Sequence, residues 1–270
     1  MTRRRIIAGC ECSGMVANAF AELLGWEAYS WDTEPGEMPD RDYPNGGTYR
    51  HVQGNILDDP EAGTLGAFNW YHPVNRQRAQ EADEAESARG ESIPLWDFGA
   101  FFPPCTHLSQ AGAVWWKHKD ATRGGDGRMQ EGAAFFMQMV KLGRATCTYS
   151  AVENPVGVMG LPSQSCYYRR PDQVVQPHMF GDPLIKATCF WLEGLPLLTA
   201  DRPVEPTGRV ATGGGSWRTD QRHGRGANNG HEDAKGRRFR QRERNRTLPG
   251  LARVMAEQWG TWIESQERAA

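Results

Sequence analysis

Residues 6–24 read Ile6-Ile7-Ala8-Gly9-Cys10-Glu11-Cys12-Ser13-Gly14-Met15-Val16-Ala17-Asn18-Ala19-Phe20-Ala21-Glu22-Leu23-Leu24. Ile6 and Ile7 open an apolar strand, Ser13-Gly14 is turn chemistry, and Val16, Ala17, Phe20, Leu23 and Leu24 recur at helical spacing until Gly25 stops them. A second short strand, Glu27 to Trp31, runs into Asp32, and a third precedes Asn55. Strand alternating with helix predicts an α/β fold, a mostly parallel sheet with helices on both faces.

Further along, Leu95 to Phe102 predicts a strand and Met129 to Leu142 a helix carried by Ala133, Phe136, Met137 and Val140. Tyr149 to Val152 predicts a strand ending at Glu153-Asn154-Pro155, and Thr188 to Leu192 another, followed by apolar Leu195 to Leu198. Leu248 to Ile263 predicts an amphipathic helix with Leu251, Val254, Met255, Trp259 and Trp262 on one stripe. The rhythm fails between Pro60 and Pro94, which reads as an inserted loop or solvated helix. The organisation expected is a catalytic domain over 1–201 with an insertion at about 60–94, a basic segment over 202–246, and a helix over 247–270 that returns to the first domain.

With 270 residues, 39% of them hydrophobic and 24% charged, the chain can bury a large core and is not a disordered polymer. Its 31 basic and 33 acidic residues nearly cancel, but residues 202–246 hold twelve Lys or Arg against five Asp or Glu. That local excess marks one region able to meet a polyanion. The stretch has many Gly and few aliphatic residues, so it closes no core of its own. The six cysteines read as reduced thiols, and the apolar stretch behind Arg3-Arg4-Arg5 is shorter than the roughly 7–15 residues of a secretory h-region. No run approaches the roughly 18 apolar residues of a membrane span. The expected compartment is cytoplasmic.

Three strand ends, Ser13-Gly14, Asp32 and Asn55, fall where open α/β sheets bind ligands. An amide-exposing turn and a carboxylate placed for ribose hydroxyls suit a nucleoside. Neither G-x-G-x-x-G nor a Walker A pattern occurs, so neither an NAD site nor a P-loop is supported. The fourth end, Phe101-Phe102-Pro103-Pro104-Cys105-Thr106-His107-Leu108-Ser109, uses two prolines to stiffen the chain before a thiol. The fifth presents Glu153 from an apolar strand, where burial raises a carboxyl pKa and lets the acid donate or share a proton. Read singly, each has a plainer meaning: Cys105 a buried thiol, Glu153 an arginine partner, Asp32 a helix cap, the arginines a solvated tail. His107 reads as structural or as a substrate contact. Zinc is not expected, because Cys10, Cys12, Cys105, His107, Cys166, His178 and Cys189 include no C-x-x-C pair.

Taken together, these pieces resemble the cytosine-5 DNA methyltransferase family, in the compact form carried by phages and prophages. Pro104-Cys105 matches the family's Pro-Cys loop, Ser109 its trailing serine, and Glu153-Asn154-Pro155 its Glu-Asn-Val motif. Cys12-Ser13-Gly14 matches the Phe-Ser-Gly turn, Asp32 the acid after the second strand, and Gly54-Asn55-Ile56 the Gly-Asp-Ile motif. The resemblance covers residues 6–155. It implies a Rossmann-like S-adenosylmethionine-dependent methyltransferase fold, with Cys105 as the nucleophile and Glu153 stabilising the cytosine ring. S-adenosylmethionine, or a modified derivative, would be held by Ser13, Gly14, Asp32, Asn55 and Pro104, without a metal. The implied partner is DNA with its target cytosine flipped out of the stack, in a bacterial or phage-infected cell.

Later motifs depart from the family. Leu184-Ile185-Lys186-Ala187-Thr188 stands for Gln-x-Arg-x-Arg and keeps one cation, Lys186, as a third candidate catalytic residue. Leu248-Pro249-Gly250 replaces a Gly-Asn turn. Ser109, Arg237, Arg238, Arg240, Arg242 and Arg244 are the candidate DNA contacts, Arg246 completing the arginine cluster. The stretch from 202 to 246 is short for a recognition domain, so two alternatives stay open: the same chemistry on a free cytosine nucleotide or RNA, and an inactive nucleic-acid-binding protein on this scaffold.

Overall fold

The computed structural model describes residues 3–58, 95–160, 168–209 and 246–269. The expected insertion at 60–94 and the arginines at 237, 238, 240, 242 and 244 lie outside the described residues. The described strands are β1 (Arg5–Gly9), β2 (Glu27–Asp32), β3 (Arg41–Asp42), β4 (Thr48–Gln53), β5 (Trp96–Phe101), β6 (Cys147–Pro155), β7 (Gln173–Val175), β8 (Leu184–Ile185), β9 (Thr188–Glu193) and β10 (Gly208–Arg209). Eight of them form one sheet in the order β3-β4-β2-β1-β5-β6-β9-β7, while β8 and β10 pair separately.

Strands covered on both faces read as apolar runs, and Ile6, Ile7 and Ala8 of β1 are fully buried. β1 is accordingly an inner strand, parallel to β2 and β5; β4 and β6 extend the parallel block on either side. Chain order reverses between β1 and β5, which makes their carboxyl ends the topological switch point. β9 runs antiparallel to β6 and to β7.

The described helices are α1 (Met15–Leu24), α2 (Trp116–Lys119), α3 (Arg128–Thr146), α4 (Pro249–Val254) and α5 (Thr261–Ala269), with a π turn over Met255–Gly260 between the last two. α1 and the C-terminal helices cover one sheet face. Phe98 sits 5.3 Å from Phe20 and 5.8 Å from Trp259, ring centre to ring centre, and Phe190 joins Trp259 at 5.4 Å. Gly260 permits the close approach, since a Cβ there would meet Leu24 at 2.2 Å. α3 covers the other face, with Phe136 edge-on to Trp191 at 4.9 Å. Of the predicted C-terminal stripe, Leu251, Val254, Met255 and Trp259 are buried and Trp262 partly so.

The described chain departs from the sequence reading in instructive ways. β6 does not end at Val152: antiparallel pairing carries it to Pro155 opposite Thr188, so Glu153 sits inside a ladder opposite Phe190. Leu195 to Leu198 forms no strand. Pro196 removes a ladder donor, and the Gln173 side chain instead takes both the amide and the carbonyl of Leu198. The edge strands β3 and β7, of two and three residues, are too short to show a period. Among the described residues no helix is long and apolar enough to cross a membrane.

Candidate active site

The turn after β1 is held by an acid. Glu11 is 4% exposed, and its carboxyl accepts the amides of Val16 at 2.7 Å and Ala17 at 3.4 Å and the Ser13 hydroxyl at 3.2 Å. These donors would otherwise attract an anion to the start of α1. Burial pushes the Glu11 carboxyl up to about 7, against the pull of those hydrogen bonds. Gly14 takes a left-handed φ of 67° and lies on Tyr49, whose hydroxyl would be 2.1 Å from any Cβ. The Glu11 carboxyl in place of a free helix N-terminus disfavours a phosphate here.

Asp32 closes β2, its Oδ1 accepting the Glu34 amide at 2.9 Å. Asn55 follows β4, and its side chain is engaged in its own turn, donating to Asp58 at 2.7 Å and accepting the Leu57 amide at 3.3 Å. Asn55 therefore offers turn backbone rather than a free amide side chain. Ser13, Gly14, Asp32 and Asn55 thus come together at the carboxyl ends of three neighbouring strands.

Across the switch point, Phe102 donates its amide to the Gly9 carbonyl at 2.9 Å, fixing where the chain leaves β5. Pro103 is buried, Pro104 exposed and Cys105 half-buried. The Cys105 carbonyl accepts the amides of Leu108 at 3.0 Å and Ser109 at 2.9 Å, closing a turn pinned by fully buried Leu108. The segment following β6 pairs with this turn: Gln110 donates to Val156 at 2.8 Å and Val158 to Leu108 at 2.9 Å. Ser109 bridges to Gly157, where a Cβ would lie 2.0 Å from the Leu108 carbonyl. Only glycine allows that backbone crossing. Asn154, 1% exposed, donates through Nδ2 to the Pro103 carbonyl at 2.9 Å. The Pro-Cys loop and the Glu153-Asn154 strand are therefore one mechanical unit.

Burial raises the Glu153 carboxyl above the ordinary range, opposed by the Lys186 ammonium and the Thr188 hydroxyl. Lys186 follows β8, with its amide on Gln176 at 3.0 Å and its ammonium on the Arg246 carbonyl at 3.2 Å. Glu153, Lys186 and Thr188 thus share one corner beside the Cys105 loop.

Three other thiols, Cys10, Cys147 and Cys189, are held in the protonated, poorly nucleophilic form. Burial pushes Cys147 and Cys189 up to about 12, Glu153 adding to the effect on Cys189, and burial also raises Cys10. The His107 pKa is lowered by burial and by the cations Lys119 and Arg128, which favours the neutral ring, and its buried Nδ1 meets no hydrogen-bond partner among the described residues. The sequence reading assigned no structural role to Glu11, Asn154, Gly157 or Thr188. For Glu11 a signal exists, an acid just ahead of a helix start; the other three depend on contacts across the sheet. No protein-family model matches this chain, and a search of curated proteins finds no match to it.

Proposed function

We propose that this chain transfers a methyl group, or a related one-carbon-derived group, from S-adenosylmethionine to the 5-carbon of cytosine in DNA, on a Rossmann-like methyltransferase fold. The observation that carries the reading is the 2.9 Å hydrogen bond from Asn154 to the Pro103 carbonyl. It joins the residue after Glu153 to the loop presenting Cys105, as a reaction needing a thiol and an acid around one base requires. The sheet, with its switch point between β1 and β5, supports a nucleoside-bearing donor at the ends of β1, β2 and β4.

The residues present fit this donor. It carries no phosphate, and the α1 amides of Val16 and Ala17 are already taken by Glu11. Asp32 is placed for ribose hydroxyls, while the Ser13-Gly14 turn and the Asn55 turn line the same edge. When bound, the donor supplies an electrophilic methyl.

The chain's own residues do the rest. Cys105 Sγ, as thiolate, adds to the 6-carbon of the ring and makes the 5-carbon nucleophilic. Glu153, whose carboxyl burial shifts toward the protonated form, shares a proton with the N3 edge, where negative charge develops, and Lys186 lies in reach of the same corner. Transfer to the 5-carbon would break the group's bond to the donor sulfur and leave a neutral thioether. The 5-carbon proton then passes to solvent, N3 returns its proton to Glu153, the Cys105–carbon bond breaks to release the thiolate, and the ring regains aromaticity.

Incubation with labelled S-adenosylmethionine and duplex DNA, RNA or dCMP, followed by nucleoside mass spectrometry, tests this. The expected product is 5-substituted cytosine from DNA, its mass giving the group transferred. Product only from RNA or dCMP would move the substrate class, and product from none would overturn the reading.

A further inference from the structure

Glu37, in the loop after β2, donates its amide to the Cys12 carbonyl at 2.8 Å, beside Ser13-Gly14. Its carboxylate pairs with the Arg246 guanidinium. The Glu37 and Arg246 side chains are 20% and 32% exposed, so solvent screens the pair only in part although it lies at the surface. The Arg246 carbonyl in turn accepts the Lys186 ammonium at 3.2 Å, and Lys186 acts electrostatically on Glu153. Three contacts, and the electrostatic influence of Lys186 on Glu153, therefore run from the turn after β1 to the acid in β6 through a residue that lies on neither strand.

We propose that Arg246 is a positioning residue, clasped by Glu37, that ties the donor-side turn to the Lys186–Glu153 corner and makes binding of donor and target base cooperative. This rests on the function proposed above. Without the clasp the Arg246 side chain no longer ties the donor-side turn to the backbone that holds Lys186. A ligand that orders the Ser13-Gly14 turn then no longer orders the base-side corner, and by linkage the converse holds equally.

The test uses the full chain, S-adenosylhomocysteine and a cytosine-containing duplex. Oligonucleotide affinity is measured with and without saturating S-adenosylhomocysteine in the parent, in Glu37→Gln, in Arg246→Ala, and in the charge-swapped pair Glu37→Arg with Arg246→Glu. Thermal melting verifies that each variant is folded. The parent should bind the duplex about fivefold or more tighter with S-adenosylhomocysteine present. That ratio should fall toward one in both single variants and recover in the swapped pair. A ratio near one in the parent, or one retained by both single variants, overturns the clasp while leaving the methyl-transfer reading intact if 5-substituted cytosine still forms. No 5-substituted cytosine with any substrate removes the underlying reading, and the clasp with it.

Discussion

The two halves of the candidate site are held by contacts of very different reach. On the donor side, Glu11 bonds to amides five and six residues away, and Asn55 to Asp58 three residues on. On the base side, Asn154 reaches Pro103 across 51 residues and Lys186 reaches Arg246 across 60. A short segment of chain can shape the first half. The second exists only once β5, β6 and β9 are assembled, so the proposed chemistry depends on the complete sheet. Changes on the donor side should therefore leave the chemical step in place, whereas changes on the base side should act on turnover.

The largest effect is expected from Glu153→Gln, with turnover down by about two to four orders of magnitude, the scale of losing an acid or a charge-stabilising group in the transition state. Single-turnover rates measure it, and DNA affinity should change little. A loss smaller than about threefold, far below that scale, would make Glu153 structural and erase the contrast between the halves.

Glu11→Gln sharpens the contrast through pH. An acid whose pKa is raised on folding, here from 4.5 to about 7, contributes stability that is complete below the lower value and lost as pH rises through the upper one. Relative to the Gln variant, the parent should lose about 3 kcal/mol between those limits. Denaturant melts of both proteins at pH 4.5 and pH 8 decide it. Parallel pH profiles would mean that Glu11 is not the buried acid described.

Asp32→Ala should weaken S-adenosylhomocysteine binding by about 10- to 100-fold, the worth of hydrogen bonds to a charged group, while DNA binding holds. Calorimetry reads this directly, and an unchanged affinity would put the donor elsewhere. Asn154→Ala should cost about 1–3 kcal/mol by leaving the Pro103 carbonyl buried and unpaired. Turnover should fall with it although Asn154 touches no substrate. Turnover at the parent level in a destabilised Asn154→Ala protein would show that the Cys105 loop needs no tether.

How much of this was readable in advance follows the same division. The strand, turn and helix over residues 5–24 are local, and hydrophobic spacing with Gly25 as a stop is enough to find them; Gly25 indeed takes the left-handed φ of 73° that ends α1. The position of Cys105 behind two prolines was equally legible. That Glu153 lies within a strand was not, because β6 continues only by pairing with β9, 33 to 37 residues on. Gly157 reads as an ordinary loop glycine until the Leu108 carbonyl beneath it is seen. The clasp of Arg246 by Glu37 joins residues 209 apart and has no sequence signal, and Arg246 counted there only as the last of a basic run.

The claim on which the account turns is that Cys105 bonds covalently to cytosine. Duplex DNA carrying 5-fluorocytosine, incubated with S-adenosylmethionine and the parent protein, should yield a denaturation-resistant complex, because fluorine blocks the final loss of a proton from the 5-carbon. Peptide mass spectrometry should locate the linkage at Cys105, and Cys105→Ala should give none while binding S-adenosylhomocysteine within a few-fold of the parent. An adduct on another cysteine, or methylation by Cys105→Ala at the parent rate, would contradict the account.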